Sequence, residues 1–143
     1  MKTKFSDLLK IKDRKLKEIE KKISLVIADI DTIKKEIEDI ESEIKEFKSA
    51  LSGEFALYQI QKSFFTLMVE KKDKLQKDKT DLDMKLELLK NEYKIANIEY
   101  EKIAYLHKEE EKKLLEELKV KESKMMDEVA NILFNKKGKE EYL

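Results

Sequence analysis

From Leu9 onward, apolar residues recur at alternating steps of three and four: Leu9, Leu16, Ile19, Ile23, Val26, Ile30, Ile33, Ile37, Ile40, Ile44, Phe47 and Leu51, with Lys12 as the one interruption. A heptad repeat kept up from residue 9 to residue 51 puts a narrow apolar seam on one face of a helix, which is the mark of a coiled coil. Ile restricts its own rotamers in a helix and lowers its propensity, so packing against a second helix must hold this segment.

The second helix is in the same chain. Ser52-Gly53 breaks the pattern, and Gly just past a helix end readily takes the left-handed C-cap conformation. A new seam then runs through Phe65, Met68, Leu75, Leu82, Leu86, Leu89, Tyr93, Ala96, Tyr100 and Ile103, with Lys72 and Lys79 at seam positions. Past His107 the apolar register slips by one residue and resumes through Leu115, Leu118, Met125, Val129 and Ile132, with Glu122 interrupting. Asn135-Lys136-Lys137-Gly138 reads as the close of the helix. The expectation is an all-α chain, a single elongated domain over residues 1–143. It has a helix at about 3–51, a turn at 52–53, a helix at about 54–135 and a frayed tail at 136–143.

Composition excludes the main alternatives. The chain has no Pro, two Gly and no Cys, so it lacks the turn chemistry of a sheet protein and any thiol, disulfide or Cys-ligated metal. Charged residues make up 45% of it, against about 25% in an ordinary globular domain. Lys and Arg together number 32 and so do Asp and Glu, a balance that argues against nucleic acid as the partner. No apolar run is long enough to span a membrane, and Met1-Lys2-Thr3-Lys4-Phe5-Ser6-Asp7 leads into charged helix rather than a signal-peptide core. A cytoplasmic protein without direct membrane insertion is expected.

Charge also orients the helices. Residues 1–25 carry nine positive and four negative side chains and residues 26–54 carry four and nine; residues 55–80 carry six and three, and residues 81–107 carry four and six. Folding at residue 53 opposes unlike net charge in both layers, which favours an antiparallel two-helix hairpin over a parallel dimer. At 1.5 Å per residue the two helices reach roughly 73 and 120 Å, so the second overhangs the first by roughly 30 residues. That overhang, over about 105–135, ends in Met125, Met126, Val129, Ile132, Leu133 and Phe134, and its unpaired apolar stripe calls for a partner. A second irregularity is Leu25-Val26-Ile27-Ala28, apolar on more than one face. Its expected opposite, Glu70 to Asp81, holds only Leu75, so the stretch is either a soft spot or faces something outside the hairpin.

Nothing in the sequence assembles a catalytic site. Two isolated glycines cannot build a phosphate loop, and a lone His107 cannot form a paired-His zinc site; it reads as a seam or flank residue with a satisfied ring. Glu109-Glu110-Glu111 and Glu116-Glu117 alternate with lysines as a solvated helix face. The basic runs Lys10 to Lys22 and Lys71-Lys72-Asp73-Lys74 are interleaved with acids and read the same way. No enzyme activity, cofactor or metal is expected. An aromatic cluster beside the turn, Phe55, Tyr58, Phe64 and Phe65, either seals the tip or offers a surface to a partner.

Two stretches resemble a known family. Lys124-Met125-Met126-Asp127-Glu128-Val129-Ala130 near the C-terminus and Ser63-Phe64-Phe65-Thr66-Leu67-Met68-Val69-Glu70 after the turn are similar to those of the flagellar export protein family FliJ, a likeness covering almost the whole chain. The resemblance implies a non-enzymatic stalk of the type III export apparatus in bacterial flagellum biogenesis and motility. Its paired chain ends would insert into a hexameric FliI-like export ATPase, another part would contact an FlhA-like export-gate protein, and it would handle export chaperones. Carried over by position, the gate contact would fall at Phe65 and Val69, with Phe64 and Met68 as neighbours one residue away. The ATPase contact would take in Leu118, Met125, Met126, Asp127, Glu128 and Val129, with Leu8 and Leu9 from the first helix. The implied state is a monomer when isolated, placed in the cytoplasm at the inner face of the cell membrane. The stalk of a virulence-type secretion system is the near alternative, and a self-assembling coiled-coil scaffold the distant one.

Overall fold

A computed structural model of the chain describes residues 1–49 and 55–141. They form two helices, α1 (Ser6–Ser49) and α2 (Phe55–Glu141), which pack against each other, and no strand is present among the described residues. The expected turn at Ser52-Gly53 lies outside the described residues. Contacts divide the chain into two units, Arg14–Asn97 and Met1–Asp13 with Ile98–Leu143.

The Arg14–Asn97 unit is an antiparallel helical pair whose core is the expected seam. Leu16, Ile19, Val26, Ile30 and Ile37 of α1 and Leu89 and Ala96 of α2 are buried, and Ile23, Leu82 and Leu86 pack against the Val26–Ile30–Leu89 cluster. Pairs across the seam fix its level: the Tyr93 hydroxyl donates to Glu20 Oε1 (3.2 Å), Lys72 Nζ lies 3.1 Å from Glu41 Oε1, and the Phe47 and Phe64 rings stand 4.9 Å apart. These pairs put residues 25–28 level with about residues 84–87, not with Glu70 to Asp81 as the sequence-based fold at residue 53 implied. The offset is close to one heptad, a slide that keeps every seam residue on the seam. It arises because Phe47, near the end of α1, is level with Phe64, which is more than two turns into α2. Val26 therefore finds its own apolar neighbours and the stretch is no soft spot, while Leu25 and Ile27 face outward.

Lysines at seam positions bury their stems and bring their charge to a carboxylate at the seam's edge. Lys72 does so with Glu41 across the pair, and Lys79 with Asp83 one turn on along α2 (3.3 Å). Half-exposed pairs of this kind contribute at most about 1 kcal/mol each, so their effect is on alignment more than on stability.

In the other unit, α1 begins at a built cap. Thr3 Oγ1 accepts the Phe5 N–H (3.1 Å) and Ser6 Oγ accepts the Thr3 N–H (2.8 Å), a reciprocal box with Ser in the place usually held by Glu. Residues 4–5 form a turn, and helix proper starts at Ser6, three residues later than expected. Lys12 Nζ, the seam lysine of this unit, lies 2.9 Å from Glu99 Oε2. The seam on α2 runs on through His107, Glu110 and Leu114, all half-buried, so the register slip falls after Leu114 and not at His107. At the far end α2 does not stop at residue 135 but passes through Gly138 to Glu141. A single helical Gly costs about 1 kcal/mol relative to Ala, too little to end a helix alone, and Gly138 has no positive φ to turn the chain.

Two outcomes follow. Leu89 is 7% exposed and its neighbour Leu88 is 65% exposed. Leu89→Ala should lower unfolding stability by about 2–5 kcal/mol, and Leu88→Ala should leave it within about 0.5 kcal/mol, read by thermal circular dichroism. The Glu20 carboxylate that accepts the Tyr93 hydroxyl holds that phenol above its ordinary value of 10.0. The neutral phenol is thus favoured by folding, so its contribution is complete below the unfolded value and is lost as pH rises through the folded one. Ultraviolet titration of the tyrosines should show one late-ionising group that moves to lower pH in Glu20→Gln.

Candidate interaction surfaces

Two surfaces leave apolar side chains without partners in this chain, one on each unit. On the Arg14–Asn97 unit, the surface is built around the first described turns of α2. The Phe47 and Phe64 rings pack in a tilted arrangement at 40°, and Lys48 Nζ lies over the Phe65 ring at 5.4 Å. Phe47, Lys48, Tyr58, Gln61, Lys62 and Phe65 line a shallow groove of about 210 Å³. Gln61 Oε1 on its wall is buried with no hydrogen-bond partner, an unmade bond of the kind that costs about 1–3 kcal/mol.

Of the four residues expected at the gate contact, Phe64 is exposed, whereas Phe65, Met68 and Val69 are half-buried. Periodicity explains the difference. Phe65 and Met68 occupy the seam itself, and Phe64 flanks it. Tyr58, Ile60 and Leu67 present more surface than any of the four. The cluster thus divides its side chains between closing the seam and facing solvent; the side chain of Phe55 lies outside the described residues.

The second surface belongs to the unit of residues 1–13 and 98–143. Here α1 is tied to α2 by a polar relay. Thr3 Oγ1 lies 2.8 Å from His107 Nδ1, and His107 Nε2 lies 3.0 Å from Glu111 Oε1. The Glu111 carboxylate can only accept, so His107 donates its Nε2–H to it, and Thr3 Oγ1 makes the ring's second contact at Nδ1. The Met1 amino group is 4.0 Å from Glu111 and Lys4 Nζ is 4.0 Å from Glu110. His107 is accordingly a satisfied seam residue.

Past Leu114, residues 115–137 of α2 are all exposed. Continuing the α1-facing seam past Leu114 meets Glu117, Lys121, Lys124, Glu128 and Asn131, all polar. The apolar stripe of Leu115, Leu118, Met125, Val129 and Ile132 lies one residue on, turned by about 100° around the helix. Met126 (75% exposed) widens it, while Phe134 (77%) is exposed on the opposite side of the helix.

The residues expected at the ATPase contact separate along this unit. Leu118, Met125, Met126, Asp127, Glu128 and Val129 are all exposed on the unpartnered stretch. Leu8 is exposed and Leu9 half-buried, both between Thr3, level with His107, and Lys12, level with Glu99. They therefore sit more than 20 Å, by roughly 1.5 Å per residue, short of Leu118 along α2.

The sequence reading missed one feature and half-found another. The Thr3–His107–Glu111 relay has no short-range signal, because Thr3 and His107 are remote in the chain and meet only through pairing. Leu88 and Ile95, exposed on the first unit, occupy the same heptad position as Leu25, so counting from the seam places all three on one flank.

Among the described residues no group of three or more His, Cys, Asp or Glu side chains is arranged to hold a metal ion, and no helix is long and apolar enough to cross a membrane. The fold and its surfaces define an all-α, partner-binding helical protein. The family model described as flagellar FliJ protein matches residues 1–139, so the chain belongs to the FliJ family. That membership makes it a component of the flagellar export apparatus, from a family of non-catalytic stalk proteins. No curated protein and no solved structure matches the chain.

Proposed function

We propose that this protein is a coupling stalk of flagellar export, binding the ring of the export ATPase through the free end of α2 and the export-gate protein through the aromatic surface around Phe64. The observation that carries the reading is the exposed stripe from Leu115 to Ile132. A helix that leaves this much apolar surface in water, on a face its own first helix does not touch, is built to be covered. The second surface has different chemistry, aromatic rings with Lys48 and Lys62 rather than aliphatic and Met side chains, and so suits a different protein.

In this reading Leu118, Met125, Met126 and Val129 enter apolar contacts of the ring while Asp127 and Glu128 meet its polar rim. Leu8 and Leu9 reach the ring only where it extends about 20 Å further along the unit. Phe64 and Phe65, with Met68 and Val69 one turn on, form the gate contact. The flank of Leu25, Leu88 and Ile95 is a further exposed apolar surface and is assigned to export chaperones. The protein works on the cytoplasmic side, peripheral to the membrane that holds the gate. It carries out no chemistry itself; it transmits binding between partners.

ATP hydrolysis by the export ATPase should rise on adding the full chain and not on adding a chain truncated after Leu114, whose remaining seam keeps its helical circular dichroism. Equal stimulation by both would move the ring contact out of the stripe. Phe64→Ala with Phe65→Ala should weaken binding to the gate protein by about tenfold or more, without loss of helicity. Unchanged gate affinity would remove the aromatic surface from the contact.

A further inference from the structure

The stripe has a second use that follows from its own spacing. Leu115, Leu118, Glu122, Met125, Val129 and Ile132 repeat at steps of three and four, a heptad seam with no helix against it. We propose that in the free protein this seam is covered by the same seam of a second copy, the two running antiparallel.

The register is set by side chains. With Leu118 level with Val129 of the second copy, Leu115 meets Ile132 and Glu122 meets Met125, each twice by two-fold symmetry. Lys121 then faces Glu128 of the second copy, again twice, and the acidic Glu110-Glu111 comes level with the basic Lys136-Lys137. A parallel pair instead sets Lys121 beside Met126 and Glu128 beside Leu133, so only the antiparallel form matches these charges with each other. Glu122, the one polar member of the seam, lies next to the two-fold axis, where a lone polar position fixes register at some expense in stability.

Space allows the arrangement. The Met1 amino group meets α2 at Glu111 and the α1-facing seam ends at Leu114, so the exposed residues 115–135 accept the same stretch of a second copy before its first helix begins. The turn of about 100° between the two seams keeps the first helix of each copy off the shared face. The pair replaces the sequence-based expectation of an isolated monomer. It stands independently of the ring reading, but it covers the same residues, so where both hold, ring and second copy exclude each other.

Sedimentation equilibrium of the full chain over a range of micromolar concentrations should show a mass rising from 17.0 kDa toward twice that value. Val129→Asp should remain at the single-chain mass with unchanged helicity. Lys121→Glu and Glu128→Lys should each weaken the pair by roughly tenfold or more, and the double swap should restore it, because it rebuilds the same contacts with charges exchanged. A single-chain mass throughout, or a double swap weaker than either single one, overturns the proposal. Stimulation of the export ATPase, measured on the same samples, judges the ring reading separately, since a chain that never pairs can still stimulate.

Discussion

In both units the structure depends on one constraint: neither helix can stay folded without burying its seam on the other. Ile at successive seam positions of α1 weakens that helix in isolation, and the same residues make it pack closely against α2. Leu16, Ile19, Val26, Ile30 and Ile37 on one side, with Leu89 and Ala96 on the other, are the buried side chains among those described, and all are apolar. With so thin a core, the charged 45% of the chain has little to do with holding the helices together. Its work is at the seam's edges, where Lys12, Lys72 and Lys79 place their charges beside Glu99, Glu41 and Asp83.

The constraint lapses at a definite point along α2. The α1-facing seam ends at Leu114, just past the level where Met1 and His107 meet Glu111, and its continuation is polar. One residue later an apolar stripe begins on another face. Were that stripe an extension of the hairpin seam, it would follow the original register; its rotation puts it on a face the seam does not use. The same division appears on the other unit, where Phe65 closes the seam and Phe64, its immediate neighbour, faces out. In a helix, one residue separates a buried side chain from an exposed one because one residue is about 100°.

Membership of the FliJ family fits this economy. A family of non-catalytic stalk proteins works through surfaces, and here the surfaces are what the pairing of two helices leaves over. The His107 relay belongs to the pairing, since all its polar atoms are satisfied by Thr3 and Glu111.

The sequence by itself determined which residues face inward. Every seam position named on α1 from Leu9 to Phe47, and on α2 from Phe65 to Ile103, is buried or half-buried, because a three–four alternation defines a face of a helix without reference to anything else. The family, too, was legible in the stretches around Phe65 and Met125. What only the tertiary structure decided is the level at which the helices meet. A heptad repeat looks the same after a slide of one heptad, so periodicity alone left the pairing about six residues off. The contacts that choose the level, Glu20 with Tyr93, Glu41 with Lys72 and Phe47 with Phe64, join residues that no local pattern links. The cap at Thr3 and its bond to His107 were hidden for the same reason, and the passage of α2 through Gly138 because one glycine's cost is small beside the helix that carries it.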